Sequence, residues 1–371
     1  MAKLNKIVFA NHPLVCIAAG EKFHSFRLAQ YVAASSYLDT FVNVYPRRKL
    51  ERLFEGAYSK PRIVSFLLLK IIDTILTFDV AKSTLFDLGL RRNLAGNILH
   101  VWSGFGLRSI REAKRRGMSV IVEHGSTHPA HQNTICRSKL MERQIKEFEL
   151  ADRIIIPSKF VYKTMIDNGV SADKLVVIPY GVDGFNPKPA DRHPGAFRIL
   201  YVGRTDERKG LQYLFDAITD EELTIVGGSG KDLPKWVKHV PHTSNVEKYY
   251  HNADVLIHPS LEEGMSLSVM EAVLCNLPVI CTEETGVEFA TIIKSRSVDA
   301  IRMALESVKR NPVGMREKIL PYTWRRYADG VMNIYNELYY DELNANTVPV
   351  VNYNNHSSNQ RADLLRYGAK C

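Results

Sequence analysis

The chain has 371 residues, which fits two domains better than a single hydrophobic core. Apolar residues make up 45% and charged residues 24%, a composition that excludes a disordered chain. Five scattered cysteines with no Cys-x-x-Cys pair argue against a disulfide framework or a zinc site and fit a reducing compartment.

The net charge of +9 lies in the first half, where residues 1–180 hold 27 Lys and Arg against 15 Asp and Glu. A basic half predicts contact with an anionic partner. No zinc-finger, RNP or helix-turn-helix signature accompanies this charge, so we expect no nucleic-acid partner. A membrane surface or an anionic acceptor is the favoured interpretation.

The apolar runs are too short or too charged for a membrane span, since even Ile63–Phe78 contains Lys70 and Asp73. At the N-terminus, Asn11-His12-Pro13 interrupts the apolar run, which favours a buried first strand over a signal peptide. We therefore expect a cytoplasmic protein, with a peripheral position on the inner face of a membrane as the further option.

In chain order, short β-rich runs alternate with helical stretches, which predicts parallel sheets in an α/β fold. The predicted strands of the first half are Lys6–Ala10, Ile98–Trp102, Ser119–Glu123, Arg153–Pro157 and Leu175–Ile178, with helices at Phe23–Ala34, Gly106–Arg116 and Lys139–Leu150. The strand at 119–123 opens into a His-Gly-Ser loop, and open α/β sheets bind ligands at such carboxyl ends.

Residues 45–78 mix basic and apolar side chains, with Arg47, Arg48 and Lys49 close to several leucines and phenylalanines. Such a mixture can form a helix that lies on an anionic bilayer. Two ordinary amphipathic helices packed on the first domain explain the same pattern and are favoured over the membrane helix.

Residues 183–196 contain three prolines, two glycines and several charges, which indicates a linker. A second series follows, with strands at Arg198–Val202, Leu223–Val226, Val255–His258 and Pro278–Cys281, and helices at Leu211–Ala217 and Ser268–Leu274. An apolar stripe predicts a last helix over Thr323–Tyr340, and the Asn- and Ser-rich end is expected to be disordered. The predicted units are 1–182, the linker 183–196, 197–320, a returning helix at 321–342 and a tail at 343–371.

Three clusters in the second half fit the binding of a nucleotide diphosphate. In the first, Gly203 lets the backbone approach a ligand, Arg204 can contact phosphate oxygens in bidentate fashion, and Lys209 adds a point charge. The second is Gly227-Gly228-Ser229-Gly230 after another predicted strand. Taken alone, the first is more typical of a solvated loop and the second of a tight turn.

The third cluster runs from Pro259 to Ala272, where a strand ends in a loop and a helix starts near Ser266. Free N–H groups at a helix N-terminus suit a diphosphate. Glu263 in the loop can accept hydrogen bonds from sugar hydroxyls, and Glu271 in the helix can bind a ribose diol. Either glutamate alone is more typical of an ordinary turn or surface position.

Together the clusters resemble the retaining glycosyltransferases of family four, which have the two-domain GT-B fold. Gly203-Arg204 is followed by Lys209-Gly210, and seven residues separate Glu263 from Glu271 within a Pro-Ser-x-x-Glu-Gly context. The resemblance is strong over residues 150–340 and looser before them. It implies that Arg204 and Lys209 bind the donor diphosphate, Glu263 the donor sugar and Glu271 the ribose.

The first half carries the looser part of the resemblance. Gly20 stands where family members often have two glycines, which implies a position near the donor phosphate. His124 matches the family's histidine near the reacting sugar, and His128 and His131 follow it closely. A histidine cluster in a loop at a strand end can be structural or catalytic, and both interpretations stay open.

The resemblance implies front-face attack with retention, in which the leaving phosphate takes the acceptor proton. No Asp-x-Asp motif lies near the clusters, so we expect no cofactor and no metal. A rival mechanism makes Glu123 or His128 a general base and inverts the anomeric centre. The sequence shows neither the acid/base residues that an epimerase of this fold would need nor the cofactor lysine or phosphate site of a phosphorylase. A catalytically inactive scaffold that binds a nucleotide sugar is the remaining alternative.

The sequence thus predicts a retaining, metal-independent glycosyltransferase with the GT-B fold. Its partners would be a nucleotide diphosphate sugar and a saccharide or lipid-linked acceptor, in polysaccharide or glycoconjugate synthesis. The predicted catalytic residues are His124, Glu263, Arg204 and Lys209, and the predicted donor-binding residues are Gly20, Gly203, Arg204, Lys209, Glu263, Gly264, Met265, Ser266, Leu267 and Glu271.

Overall fold

A computed structural model describes residues 12–21, 24–57, 60–69, 79–135, 139–188 and 195–346 of the chain. The strand predicted over residues 6–10 lies outside these ranges. The first strand that the structure describes is Val15–Ala19, all of whose residues are buried.

The first half forms a parallel seven-stranded sheet in the order β3-β2-β1-β4-β5-β6-β7. Its strands are β1 Val15–Ala19, β2 Leu38–Asn43, β3 Arg62–Ser65, β4 Ile98–Trp102, β5 Ser119–Glu123, β6 Arg153–Ile156 and β7 Leu175–Val177. The helices are α1 Ser25–Ala34, α2 Arg47–Arg52, α3 Asp79–Arg91, α4 Leu107–Arg115, α5 Pro129–Asn133, α6 Met141–Leu150 and α7 Lys159–Asp167. The central strands β1 and β4 are wholly buried, as expected for a parallel sheet with helices on both faces.

The second half forms a parallel six-stranded sheet in the order β10-β9-β8-β11-β12-β13. Its strands are β8 Arg198–Val202, β9 Glu222–Val226, β10 Lys238–Val240, β11 Val255–His258, β12 Val279–Thr282 and β13 Thr291–Ile293. Its helices are α8 Leu211–Ala217, α9 Glu247–Asn252, α10 Leu267–Leu274, α11 Val298–Arg310 and α12 Arg316–Ile319. Strand order reverses between β1 and β4 and again between β8 and β11, and open α/β sheets bind ligands at such switch points.

The last helix, α13 (Trp324–Asn346), follows the second sheet but contacts the first. The Tyr327 hydroxyl donates to both oxygens of Glu123 on β5, each at 2.8 Å, and the Tyr335 hydroxyl lies 2.7 Å from Nδ1 of His100 on β4. The helix runs to Asn346, so residues 343–346, predicted as the start of a disordered tail, are helical.

The basic segment 45–78 differs from the two helices that its sequence favours. The structure has the short helix α2, then the strand β3, which the prediction of two helices did not include, and then helical residues at 67–69; residues 70–78 lie outside the described ranges. Arg62 has a structural role, because its guanidinium donates to Thr40 Oγ1 at 3.2 Å and to the carbonyl oxygen of Asn93. Within the described ranges, no helix combines the length and apolar character that a membrane span needs. Membrane contact of this segment stays a prediction.

Candidate active site

A cleft with a cavity volume of about 750 Å³ lies between the carboxyl ends of the two sheets. Most of the predicted site residues line it, namely His124, Gly203, Arg204, Lys209, Glu263, Met265, Ser266, Leu267 and Glu271. Gly20 and Gly264 are not among its lining residues. Gly20 lies against the Phe105 ring, since a Cβ there would come within 2.1 Å of a ring carbon.

The carboxylate of Glu263 is anchored through one oxygen. Its Oε2 accepts from Lys209 Nζ at 2.7 Å, Ser260 Oγ at 3.0 Å and His258 Nε2 at 3.2 Å. Burial raises the pKa of this carboxyl, but the His258 hydrogen bond and the Lys209 charge outweigh that effect and hold the pKa well below its usual range. Oε1 has no hydrogen-bond partner within the described part of the chain, so it faces the cleft as a ready acceptor.

The cations of the first cluster differ in their availability. Lys209 is buried and bound to Glu263, whereas the Arg204 side chain is 66% exposed and, among the residues that the structure describes, pairs only with Asp206, at 3.2 Å. Arg208, which the sequence analysis did not select, also lines the cleft and pairs with Glu262 at 3.2 Å. Lys209 therefore holds Glu263 in place, and Arg204 is the cation most open to a phosphate.

The N-terminus of α10 opens onto the cleft. Leu267 and Ser268 of its first turn are lining residues, and the side chain of the preceding Ser266 does not cap the helix. Uncapped N–H groups and the helix dipole favour an anion at this end.

Glu271 lies one turn further along α10. Its Oε2 accepts from the Tyr250 hydroxyl at 2.7 Å, and its other oxygen has no hydrogen-bond partner among the described residues. Burial raises the pKa of this carboxyl, and the Tyr250 hydrogen bond opposes that effect. Tyr250 was missed by the sequence analysis because nothing in its local sequence indicates a partner 21 residues away.

Loops of both domains meet at the edge of the cleft. A Cβ on Gly264 would come within 2.0 Å of the Gly125 carbonyl oxygen, so only glycine allows this approach. The neighbouring Glu262 is buried and accepts from the backbone N–H of Thr127 at 3.1 Å and from its hydroxyl at 2.9 Å. Gly264 thus allows the two loops to approach closely, and its role in donor binding stays a prediction.

His124 is held at both ring nitrogens. Nε2 lies 2.8 Å from the Thr127 carbonyl oxygen and must donate to it, so Nδ1 accepts from the Ser103 hydroxyl at 2.7 Å. Burial lowers the pKa of this imidazole. The ring is therefore neutral and fixed in one tautomer, which suits orientation of a sugar better than proton abstraction.

The two residues of the rival inverting mechanism are also engaged. Glu123 accepts from His24, His100 and Tyr327, and although burial raises its pKa, the His24 charge and the His100 hydrogen bond lower it to about 2. His128 lies outside the cleft lining and accepts the Ala130 N–H at Nδ1, capping α5. Burial lowers the pKa of His128 to about 4. Neither residue offers a free base to the cleft.

Comparisons with known proteins agree with this architecture. The model described as Glycosyltransferase Family 4 matches residues 56–184, and that described as Glycosyl transferases group 1 matches residues 196–310. The solved sucrose-phosphate synthase from Thermosynechococcus elongatus superposes with a TM-score of 0.59 at 17% identity, over 89% of this chain and 100% of that one. The chain has the GT-B fold.

Relatives of this GT-B protein include the amylovoran biosynthesis glycosyltransferase AmsK of Erwinia amylovora, 27% identical over 234 residues, or 53% of this chain and 56% of that protein. Both family models and this relative are described as glycosyltransferases. The chain spans about half the length of the curated relatives it matches. A putative UDP-N-acetylglucosamine 2-epimerase from Listeria monocytogenes has the same fold (TM-score 0.56, 13% identity, 90% of this chain and 98% of that one), so the fold alone does not specify the reaction.

Proposed function

We propose that this chain is a retaining, metal-independent glycosyltransferase. It moves a sugar from a nucleotide diphosphate sugar to a saccharide or lipid-linked acceptor, in polysaccharide or glycoconjugate synthesis. The observation that carries the proposal is the pair Glu263 and Glu271 beside the uncapped N-terminus of α10, each with one anchored and one available oxygen.

The donor fits this arrangement in three parts. Glu271 accepts hydrogen bonds from the ribose hydroxyls, and Glu263 Oε1 accepts from a hydroxyl of the donor sugar. The diphosphate lies between them, against the N-terminus of α10 and the exposed guanidinium of Arg204. These fixed positive groups stabilise the negative charge that grows on the diphosphate as it leaves. They also replace the neutralisation that a divalent cation would supply.

The reaction breaks the bond between the anomeric carbon and the phosphate oxygen and forms a bond to the acceptor oxygen. The acceptor hydroxyl needs a base on the face where the phosphate departs. Glu123 and His124 are occupied by their own hydrogen bonds and His128 lies outside the cleft lining, which supports a mechanism in which the departing phosphate oxygen takes the acceptor proton. Attack from that same face retains the anomeric configuration.

A thermal-shift screen against UDP, GDP, ADP, CMP and their sugar conjugates, with EDTA present, tests the donor site. One nucleotide at 100 times its Kd should stabilise the fold by about 2.7 kcal/mol, a rise of a few degrees in Tm. Arg204→Ala and Glu271→Ala should lose that rise, whereas Lys159→Gln, which breaks an exposed pair with Glu288 and does not line the cleft, should keep it. A flat response from folded protein against every nucleotide would contradict the donor assignment.

A further inference from the structure

The N-terminal wall of the cleft contains side chains that the proposed mechanism does not use. Phe105 and Leu140 supply apolar surface, and Gln144 on α6 supplies an amide. Ligand pockets typically combine apolar walls with a few placed polar groups, and a sugar offers both C–H faces and hydroxyls to such a wall.

The amide of Gln144 is only partly satisfied. Its Nε2 lies 3.4 Å from Ser103 Oγ, a weak contact, and its Oε1 is buried with no hydrogen-bond partner among the residues described. Leaving a buried amide end unpaired is costly, which indicates that a ligand completes it. A hydroxyl fits whichever way the amide is turned, because a hydroxyl both donates and accepts.

The position of Gln144 relates it to the reacting groups. Ser103 Oγ, the contact of its amide, donates to Nδ1 of His124 at 2.7 Å. His124 and Glu263 line the same cleft as Gln144. A hydroxyl compound bound at Gln144 therefore lies near the candidate catalytic histidine, to which Ser103 links this amide.

The cations that the structure describes on this wall are paired with carboxylates. Lys82 is buried and lies 2.8 Å from Glu21, and His24 is bound to Glu123. Arg143, adjacent to Gln144 in sequence, is held by Asp87 and Glu147. A phosphorylated acceptor would need an available cation, as Arg204 provides on the donor side. The described part of this wall offers paired charges and a neutral amide instead.

We propose that the N-terminal half of the cleft binds an uncharged saccharide acceptor and that Gln144 is the specificity-determining residue that binds one of its hydroxyls. The inference rests on the proposed transferase function. It differs from the anionic acceptor that the basic first half of the chain suggests, because the described cations on this side of the cleft are paired with carboxylates.

The test uses the full chain and the donor that the thermal-shift screen selects. Three rates are measured: donor hydrolysis without acceptor, transfer to a panel of octyl glycosides, and transfer to the same glycosides carrying a phosphate. Wild type should transfer to octyl glycosides at least ten times faster than to the phosphorylated ones. Gln144→Leu should lower transfer to octyl glycosides by about 10- to 100-fold, mainly through KM for the acceptor. Its donor thermal shift and donor hydrolysis should stay unchanged.

Two further variants separate hydroxyl binding from a structural role. Gln144→Glu keeps an acceptor oxygen and should recover part of the transfer, and Glu142→Gln, an exposed change on the same helix, should match wild type. Absence of any donor thermal shift in wild type would contradict the proposed function itself. With the donor bound, three results would overturn the acceptor proposal: full transfer by Gln144→Leu, a preference for phosphorylated glycosides, or no transfer to any octyl glycoside.

Discussion

Glu263→Gln is expected to lower the rate of sugar transfer by about 100- to 1,000-fold, the range found when one preorganised electrostatic contact is removed. The variant loses the carboxylate charge that Lys209 neutralises at 2.7 Å, and Lys209 is then a buried cation without its partner. The variant's amide oxygen should take the position of Oε2, where three groups donate, so that an NH2 donor replaces the Oε1 acceptor offered to the donor sugar. Binding of the nucleoside diphosphate, which rests on Arg204, Glu271 and α10, should persist. Steady-state kinetics with the selected donor and the nucleotide thermal shift measure the two effects separately.

Glu288→Gln is the matched control for this variant. Glu288 pairs with Lys159 at 2.9 Å, and both side chains are mostly exposed, so the pair contributes little. Its transfer rate should stay within about twofold of wild type. Transfer by Glu263→Gln at a rate close to wild type would remove this residue from the mechanism. If Glu263→Gln lost nucleotide binding as strongly as it lost transfer, the role of Glu263 would be structural.

Glu123→Ala is expected to lower the free energy of unfolding by about 3–5 kcal/mol, the cost of removing one partner of a buried charged network. Glu123 is 1% exposed and accepts from His24, His100 and Tyr327, so its loss leaves three buried donors unpaired. Tyr327 belongs to α13, and the network therefore also fixes the last helix on the first sheet. Urea denaturation followed by circular dichroism measures the change.

The pH dependence of this effect follows from the lowered pKa. The pKa of Glu123 is about 2 in the folded protein against an ordinary 4.5, so its ionised form stabilises the fold above pH 4.5. That contribution is lost as the pH falls from 4.5 towards 2. The difference in the free energy of unfolding between wild type and Glu123→Ala should therefore decrease over this pH range. Glu51→Ala, which breaks only an exposed pair with Arg47, should cost less than about 1 kcal/mol at every pH. A difference in the free energy of unfolding below about 1 kcal/mol at neutral pH, or one that does not change with pH, would contradict the role of this network.

Much of the fold could be predicted because its central strands are uninterrupted apolar runs. The predicted bounds of β4, β5, β8 and β11 agree with the structure residue for residue. β1 was missed because two apolar runs flank Asn11-His12-Pro13, and only the first was taken as a strand. The edge strands β10 and β13 were also missed; they have three residues each, and unlike β7, which has the same length, they do not lie in a continuous apolar run.

The site was predictable where its residues are neighbours in sequence. The spacing of Glu263 and Glu271 indicates both carboxylates, but their anchoring partners depend on the packing of distant segments. The sequence could have indicated His258 as a partner of Glu263, since His258 ends a buried strand five residues before it. The sequence could not have indicated Gln144, because its contact with Ser103 joins residues 41 positions apart. Lys209 was expected at the diphosphate, yet its burial requires a fixed counter-charge, which Glu263 provides.

Proton NMR of a reaction between the selected nucleotide sugar and an octyl glycoside acceptor, in EDTA, tests the central claim most directly. The account predicts a new glycosidic anomeric signal with the same configuration as the donor, growing as nucleoside diphosphate is released. A product of inverted configuration, or a reaction that proceeds only after a divalent cation is restored, would contradict it.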